Sequence, residues 1–128
     1  MAQHMNPVGW FEIPVQDLER ARGFYEAVFN IELSPQQMGP LEMAWFPMVE
    51  GAPGATGSTG SLVKAEGYTP STDGVRIYFT APDIEETLER AVKNGGEVLM
   101  ERTGIGDYGF IARLRDTEGN SIAIHSRY

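Results

Sequence analysis

Residues 8–15 alternate. Val8, Trp10, Glu12 and Pro14 fall on one side, and Phe11, Ile13 and Val15 on the other. A period of two predicts a strand with one apolar and one mixed face. Pro14 puts that strand at a sheet edge or near its own end. Past Asp17 the period changes, and Leu18, Ala21, Phe24, Tyr25 and Val28 recur at helical spacing. The Asp17 carboxylate suits an N-cap, where it accepts from the orphan N–H groups of a first turn. Asn30 suits a left-handed C-cap. Strands are then predicted near 31–35 and 41–48, separated by Gly39-Pro40, and over Ser61–Lys64.

The same plan returns further along. Trp10-Phe11-Glu12-Ile13-Pro14-Val15-Gln16-Asp17 has its counterpart in Arg76-Ile77-Tyr78-Phe79-Thr80-Ala81-Pro82-Asp83. Ile84, Leu88, Ala91 and Val92 form the buried stripe of a second helix, and Asp83 with Glu86 makes a capping-box pattern. Asn94-Gly95-Gly96 ends it. Strands are predicted at 97–101, 109–114 and 121–126, with Asp116-Thr117-Glu118-Gly119-Asn120 as the tight turn before the last. Each copy therefore reads β-α-β-β-β, an internal duplication. Two units of roughly 60 residues are each marginal alone and are expected to share a core. The expected fold is α+β: two tandem βαβββ modules whose twisted sheets form a half-open barrel, helices outside and a cleft within. Module one is placed at 7–64, the linker at 65–74 and module two at 75–127, all in one domain.

Composition narrows the function. The chain has 128 residues, 41% of them apolar, and its longest apolar runs are far shorter than the roughly 20 residues of a membrane span. Met1-Ala2-Gln3-His4-Met5 shows no basic region followed by an apolar run, so no signal peptide is read, and His4 is given no role. Ten basic residues stand against 18 acidic ones, a formal charge of −8. That balance opposes nucleic acid and anionic membranes as partners. There is no cysteine, which removes disulfides, thiolate metal sites and thiol nucleophiles and suits a cytoplasmic location. The stretch Gly51–Gly60 reads as a flexible loop. Its glycines open no helix, so a phosphate cradle is not expected there. Met38, Met43, Met48 and Met100 read as gap-filling core.

The segment Phe11-Glu12-Ile13-Pro14-Val15-Gln16-Asp17-Leu18-Glu19-Arg20-Ala21 with Phe24-Tyr25, and the closing Asp116-Thr117-Glu118-Gly119-Asn120-Ser121-Ile122-Ala123-Ile124-His125, carry a resemblance. Over residues 7–127 the chain resembles the vicinal oxygen chelate superfamily, which holds glyoxalase I, extradiol dioxygenases and bleomycin- and fosfomycin-resistance proteins. The resemblance implies paired βαβββ modules, a homodimer and an active cleft inside the curved sheets. It also implies metal ligands at four places. Here they are filled by Trp10, by Arg76, by Ala123 and by the strand Ser61–Lys64. An indole and a methyl do not coordinate, a guanidinium repels a cation, and residues 61–64 offer no carboxylate, imidazole or amide. No metal or other cofactor is therefore expected, and glyoxalase I activity, which needs a metal to stabilise an enediolate, is expected to be absent.

Alternation still places Trp10 and Glu12, then Arg76, Tyr78 and Thr80, then Ala123 and His125 on the cleft face. Aromatic walls with a few polar anchors describe a small-ligand pocket. Trp10, Glu12, Arg76, Tyr78 and His125 are the candidate ligand-binding residues, and Glu12 and His125 the candidate catalytic ones. Glu12 is either paired with Arg76 or free to touch ligand. Two functions compete. One is a metal-free module binding a small anionic or aromatic molecule. The other is an enzyme of the superfamily, a lyase, isomerase or dioxygenase-like protein, using a metal at unexpected positions or Glu12 as base. The sequence leaves open whether the cleft forms within one chain or across a dimer.

Overall fold

The computed structural model describes residues 7–48 and 57–128. His4 and most of the Gly51–Gly60 stretch lie outside these. The elements run β1 (Phe11–Pro14), α1 (Leu18–Phe29), β2 (Ser34–Met38), β3 (Leu41–Trp45), β4 (Gly60–Lys64), β5 (Tyr78–Thr80), α2 (Ile84–Lys93), β6 (Glu97–Gly104), β7 (Phe110–Arg115) and β8 (Ser121–Ser126). They form two four-stranded sheets, ordered β1-β4-β3-β2 and β5-β8-β7-β6. In each sheet the first strand pairs parallel with the last, and the other pairs are antiparallel. The βαβββ plan therefore occurs twice with one topology, in open, unclosed sheets.

Local chemistry explains the boundaries. Asp17 and Asp83 hold extended backbone and accept from Arg20 N and Glu86 N, each at 3.0 Å. Asn30 ends α1 with φ +56°, the left-handed cap its side chain tolerates. The reciprocal half of the capping box is not made. The Glu86 carboxylate instead accepts from Arg90, one turn on, at 2.7 Å. Strand β2 begins three residues later than its apolar neighbours suggest. Ile31 and Leu33 serve as tethers rather than strand. Ile31 N donates to Glu26 O, and Leu33 N to the Glu26 carboxylate at 2.9 Å. The strand itself, Ser-Pro-Gln-Gln-Met, is exposed throughout. Met43 is core, whereas Met38 and Met48 are about half exposed, 54% and 47%.

One core serves both units. Ile13, Val15 and Leu62 of the first sheet and Leu114, Ile122 and Ile124 of the second bury against Phe24, Tyr25, Val28, Ile84, Leu88 and Ala91 of the helices. Aromatic rings cross the boundary: Phe79 stacks on Phe29 at 4.5 Å and stands edge-on to Phe11 at 6.0 Å. Polar pins cross it too. Arg90 Nε donates to Val28 O, and Asn120 Nδ2 to Pro14 O, each at 2.8 Å.

Candidate functional site

Direct cross-strand partners share a face of the sheet. In the first sheet Glu12 pairs with Ser61, Ser61 with Trp45 and Trp45 with Ser34. The face opposite the helices thus carries Glu12, Ser61 and Trp45, joined by Trp10, which meets Trp45 edge-on at 5.5 Å. In the second sheet Tyr78 pairs with Ala123 and Ala123 with Arg113, while Thr80 pairs with His125. The matching face there carries Tyr78, Arg113 and His125, while Arg76 lies before β5 and outside the ladder. Alternation along the chain therefore predicts which residues share each face, and the ladders agree.

The five candidate residues nevertheless do not converge. Trp10 and Glu12 line a cavity of about 400 Å³ between β1, the start of β8 and the connecting segment 69–77. Arg76 and Tyr78 line an adjoining one of about 710 Å³ that runs past Phe11 toward Thr59. His125 borders a third, of about 430 Å³, near the C-terminus. The Glu12–Arg76 ion pair is not formed. Both residues are exposed, and Glu12 instead accepts from the Tyr68 hydroxyl at 3.2 Å. That bond, and the nearby negative charge, raise the Tyr68 pKa. An exposed carboxylate needs no buried partner, so the desolvation reason for an Arg76 pairing lapses.

His125 is held by its Nε2, 2.6 Å from the Tyr108 carbonyl. A carbonyl only accepts, so Nε2 carries the proton. The turn Gly106–Tyr108 brings that carbonyl in, and Gly109 makes the approach feasible. At φ +103° a Cβ there would lie 2.3 Å from Ser126 O. Tyr108 itself is 78% exposed.

Three further residues enter the site that composition alone did not single out. Trp45 has its indole Nε1 buried with no hydrogen-bond partner, and the same holds for Ser121 Oγ. Ser121 is 6% exposed and lines the cavity of Trp10 and Glu12. Tyr68 comes from the linker. The alternation of Met43 and Trp45 against Ala44 and Phe46 contained the signal for Trp45. Nothing in the sequence paired Tyr68 with Glu12.

The four places where the resemblance implies metal ligands hold Trp10, Arg76, Ala123 and the strand Ser61–Lys64. The Ser61 hydroxyl is spent on the carbonyls of Leu62 and Ala44, at 2.7 and 3.3 Å. Among the described residues no three His, Asp or Glu side chains gather as a cation site. These residues do not fit the metal the fold implies.

Comparison with known proteins places this geometry. A curated protein from Didymella fabae, described as a glyoxylase-like domain-containing protein, is 29% identical over 121 residues, 94% of this chain and 93% of that one. A glyoxalase/bleomycin resistance protein from Albidiferax ferrireducens has a similar fold, with TM-score 0.70 and 20% identity over 96% of this chain and all of that one. An antibiotic binding protein from a Streptomyces species also superimposes, with TM-score 0.71 and 21% identity over 98% of each chain. The model of the Glyoxalase/Bleomycin resistance protein/Dioxygenase superfamily matches residues 7–124, and the chain belongs to that superfamily.

Proposed function

We propose that this chain binds a small, flat, largely apolar molecule in the cavity beside β1, without the superfamily's metal. The observation that carries the reading is the cavity wall. Trp10 stands there with Val8, Ile77 and Val75 around a space of about 400 Å³, within the range of small-molecule sites. The donor set at the four ligand positions supports binding over metal-assisted chemistry. The antibiotic binding protein of like fold supports it at the level of fold alone. The binding residues are Trp10 and Glu12, with Tyr78 and Arg76 at the adjoining cavity; His125, on a third cavity, stands apart from them.

A second reading has one observation behind it. The Glu12 carboxylate lies 3.2 Å from the hydroxyl of Tyr68, which borders a neighbouring cavity, a spacing that suits proton transfer between a base and an acid. In that case the chain is an enzyme that uses Glu12 as base.

The reading includes a homodimer. Val8, Val75 and Tyr78 are 58%, 91% and 50% exposed where the two sheets meet, and apolar surface of this kind marks an interface. Sedimentation of the purified chain at micromolar concentration is expected to give a dimer, and a monomer would remove that part of the proposal.

Native mass spectrometry tests the whole, on protein as purified and with Ni²⁺, Zn²⁺ or Mn²⁺ added. The expected result is no stoichiometric metal and, where ligand survives purification, an extra organic mass. One tightly held metal per chain would overturn the reading.

A further inference from the structure

We infer that the cavity beside β1 selects a cationic, amine-bearing aromatic molecule, its ammonium on Glu12 and its ring against Trp10. This rests on the proposed binding function and names the class of ligand. Among the described residues lining this cavity, Glu12 is the only carboxylate or other charged group. Arg76, the cation expected to face it, lines the neighbouring cavity instead. Of the polar groups of the wall, the Thr69 hydroxyl lies at its exposed margin, open to water. Asn120 is fully engaged: its Oδ1 accepts from Ser71 N, and its Nδ2 donates to Pro14 O and Asp116 Oδ2. Ser71 Oγ accepts from Asp73 N. The charged group left open is the Glu12 carboxylate, which receives one hydrogen bond from Tyr68 and has acceptor positions to spare. Ser121 Oγ remains too, buried and without a partner.

A buried hydroxyl without a partner is costly, so a ligand or bridging group that reaches it is favoured. An anionic ligand would meet Glu12 with no cation in the wall to offset it. An ammonium meets a carboxylate, a hydroxyl acceptor and an indole face, all of which attract it. The chain's charge of −8 adds a field of the same sign.

The test is calorimetry of the whole chain with three probes sharing one ring: tryptamine, 3-methylindole and indole-3-acetate. Tryptamine is expected to bind about tenfold tighter than 3-methylindole, and indole-3-acetate weakest. Raised salt should shrink the tryptamine advantage. Glu12→Gln, with its fold checked by circular dichroism, should bring tryptamine to the level of 3-methylindole and leave the latter unchanged. Ser121→Ala should weaken tryptamine while keeping the order of the three. Trp10→Ala should weaken all three. If 3-methylindole or the acid binds as well as tryptamine, the charge selection is wrong, while aromatic binding in the cavity stands. If none of the three binds at millimolar concentration, both the selection and the binding function fall.

Discussion

Glu118 is the clearest case of a single residue holding distant segments together. Its side chain is fully buried, and its carboxylate accepts from Gln16 N and Asp17 N, each at 2.9 Å, from Arg20 Nε at 2.7 Å and from Thr117 Oγ1 at 3.1 Å. Two of these donors are the backbone N–H groups of the N-cap Asp17 and of Gln16 before it, so Glu118 fixes the entry to α1. Burial acts against the charged form, but the bonds from Arg20 and the backbone outweigh it and hold the pKa at about 2, below its ordinary 4.5. The folded pKa is depressed, so the stability it contributes is complete above pH 4.5 and disappears as pH falls toward 2. A shift of that size corresponds to at most about 3 kcal/mol. Glu118→Gln should therefore cost about 2 kcal/mol in urea unfolding at pH 7. At pH 3 the gap between variant and parent should narrow, and a pH-independent gap would assign the loss to packing rather than charge. Next to it, the Tyr25 hydroxyl donates to Asp116 Oδ2 at 2.6 Å, and burial drives its pKa well up. Tyr25→Phe should cost about 1–2 kcal/mol by the same measurement. The sequence showed Asp116–Asn120 as a turn and as part of the segment carrying the family resemblance, but not what it bonds. Their partners lie about a hundred positions away, and no local pattern encodes such a pairing.

At the scale of elements, what the chain made legible is what its periodicity and caps encode. Asp17, Asp83 and Asn30 marked helix ends because each acts on backbone within one turn. β1 ends at Pro14 on a sheet edge, as a residue without an N–H requires. β2 was misplaced because it has no buried face: an all-exposed edge strand leaves no alternation to read, and the apolar Ile31 and Leu33 drew the prediction upstream. The Glu12–Arg76 pairing failed for a related reason. Glu12 lies on the face opposite the helices, but Arg76 precedes β5 and the two sheets are not joined by a ladder, so alternation alone did not fix their distance. Asn30 offers an elemental test. Its φ of +56° costs a side chain with Cβ about 1 kcal/mol or more unless it is Asn or Gly. Asn30→Gly should leave the unfolding midpoint within error, and Asn30→Ala should lower stability by about 1 kcal/mol. Equal effects of both would show that the cap's side chain, not its backbone, matters.

The whole molecule is two copies of one topology that fold as one object. A duplicated sequence alone permits independent halves. The structure argues otherwise through Phe79 on Phe29, Arg90 on Val28, and Glu118 on the first turn of α1. Each contact satisfies in one unit a group that the other leaves open. The chain supplies its own probe of this coupling. It has two tryptophans, Trp45 on β3 and Trp10 just before β1, in edge contact. Tryptophan fluorescence therefore reports the first sheet and the cavity wall beside it, whereas far-ultraviolet circular dichroism reports α1 and α2 together. In a urea titration the two signals should trace one transition with a common midpoint, as a two-state domain of this size does. Arg90→Ala removes a pin to the Val28 carbonyl, and Glu118→Gln weakens the grip on α1. Each should lower both midpoints by the same amount, because the loss falls on a shared fold. If the fluorescence midpoint stays fixed while the dichroism curve splits, the units unfold separately, and the cavity between them is held by less than these contacts imply.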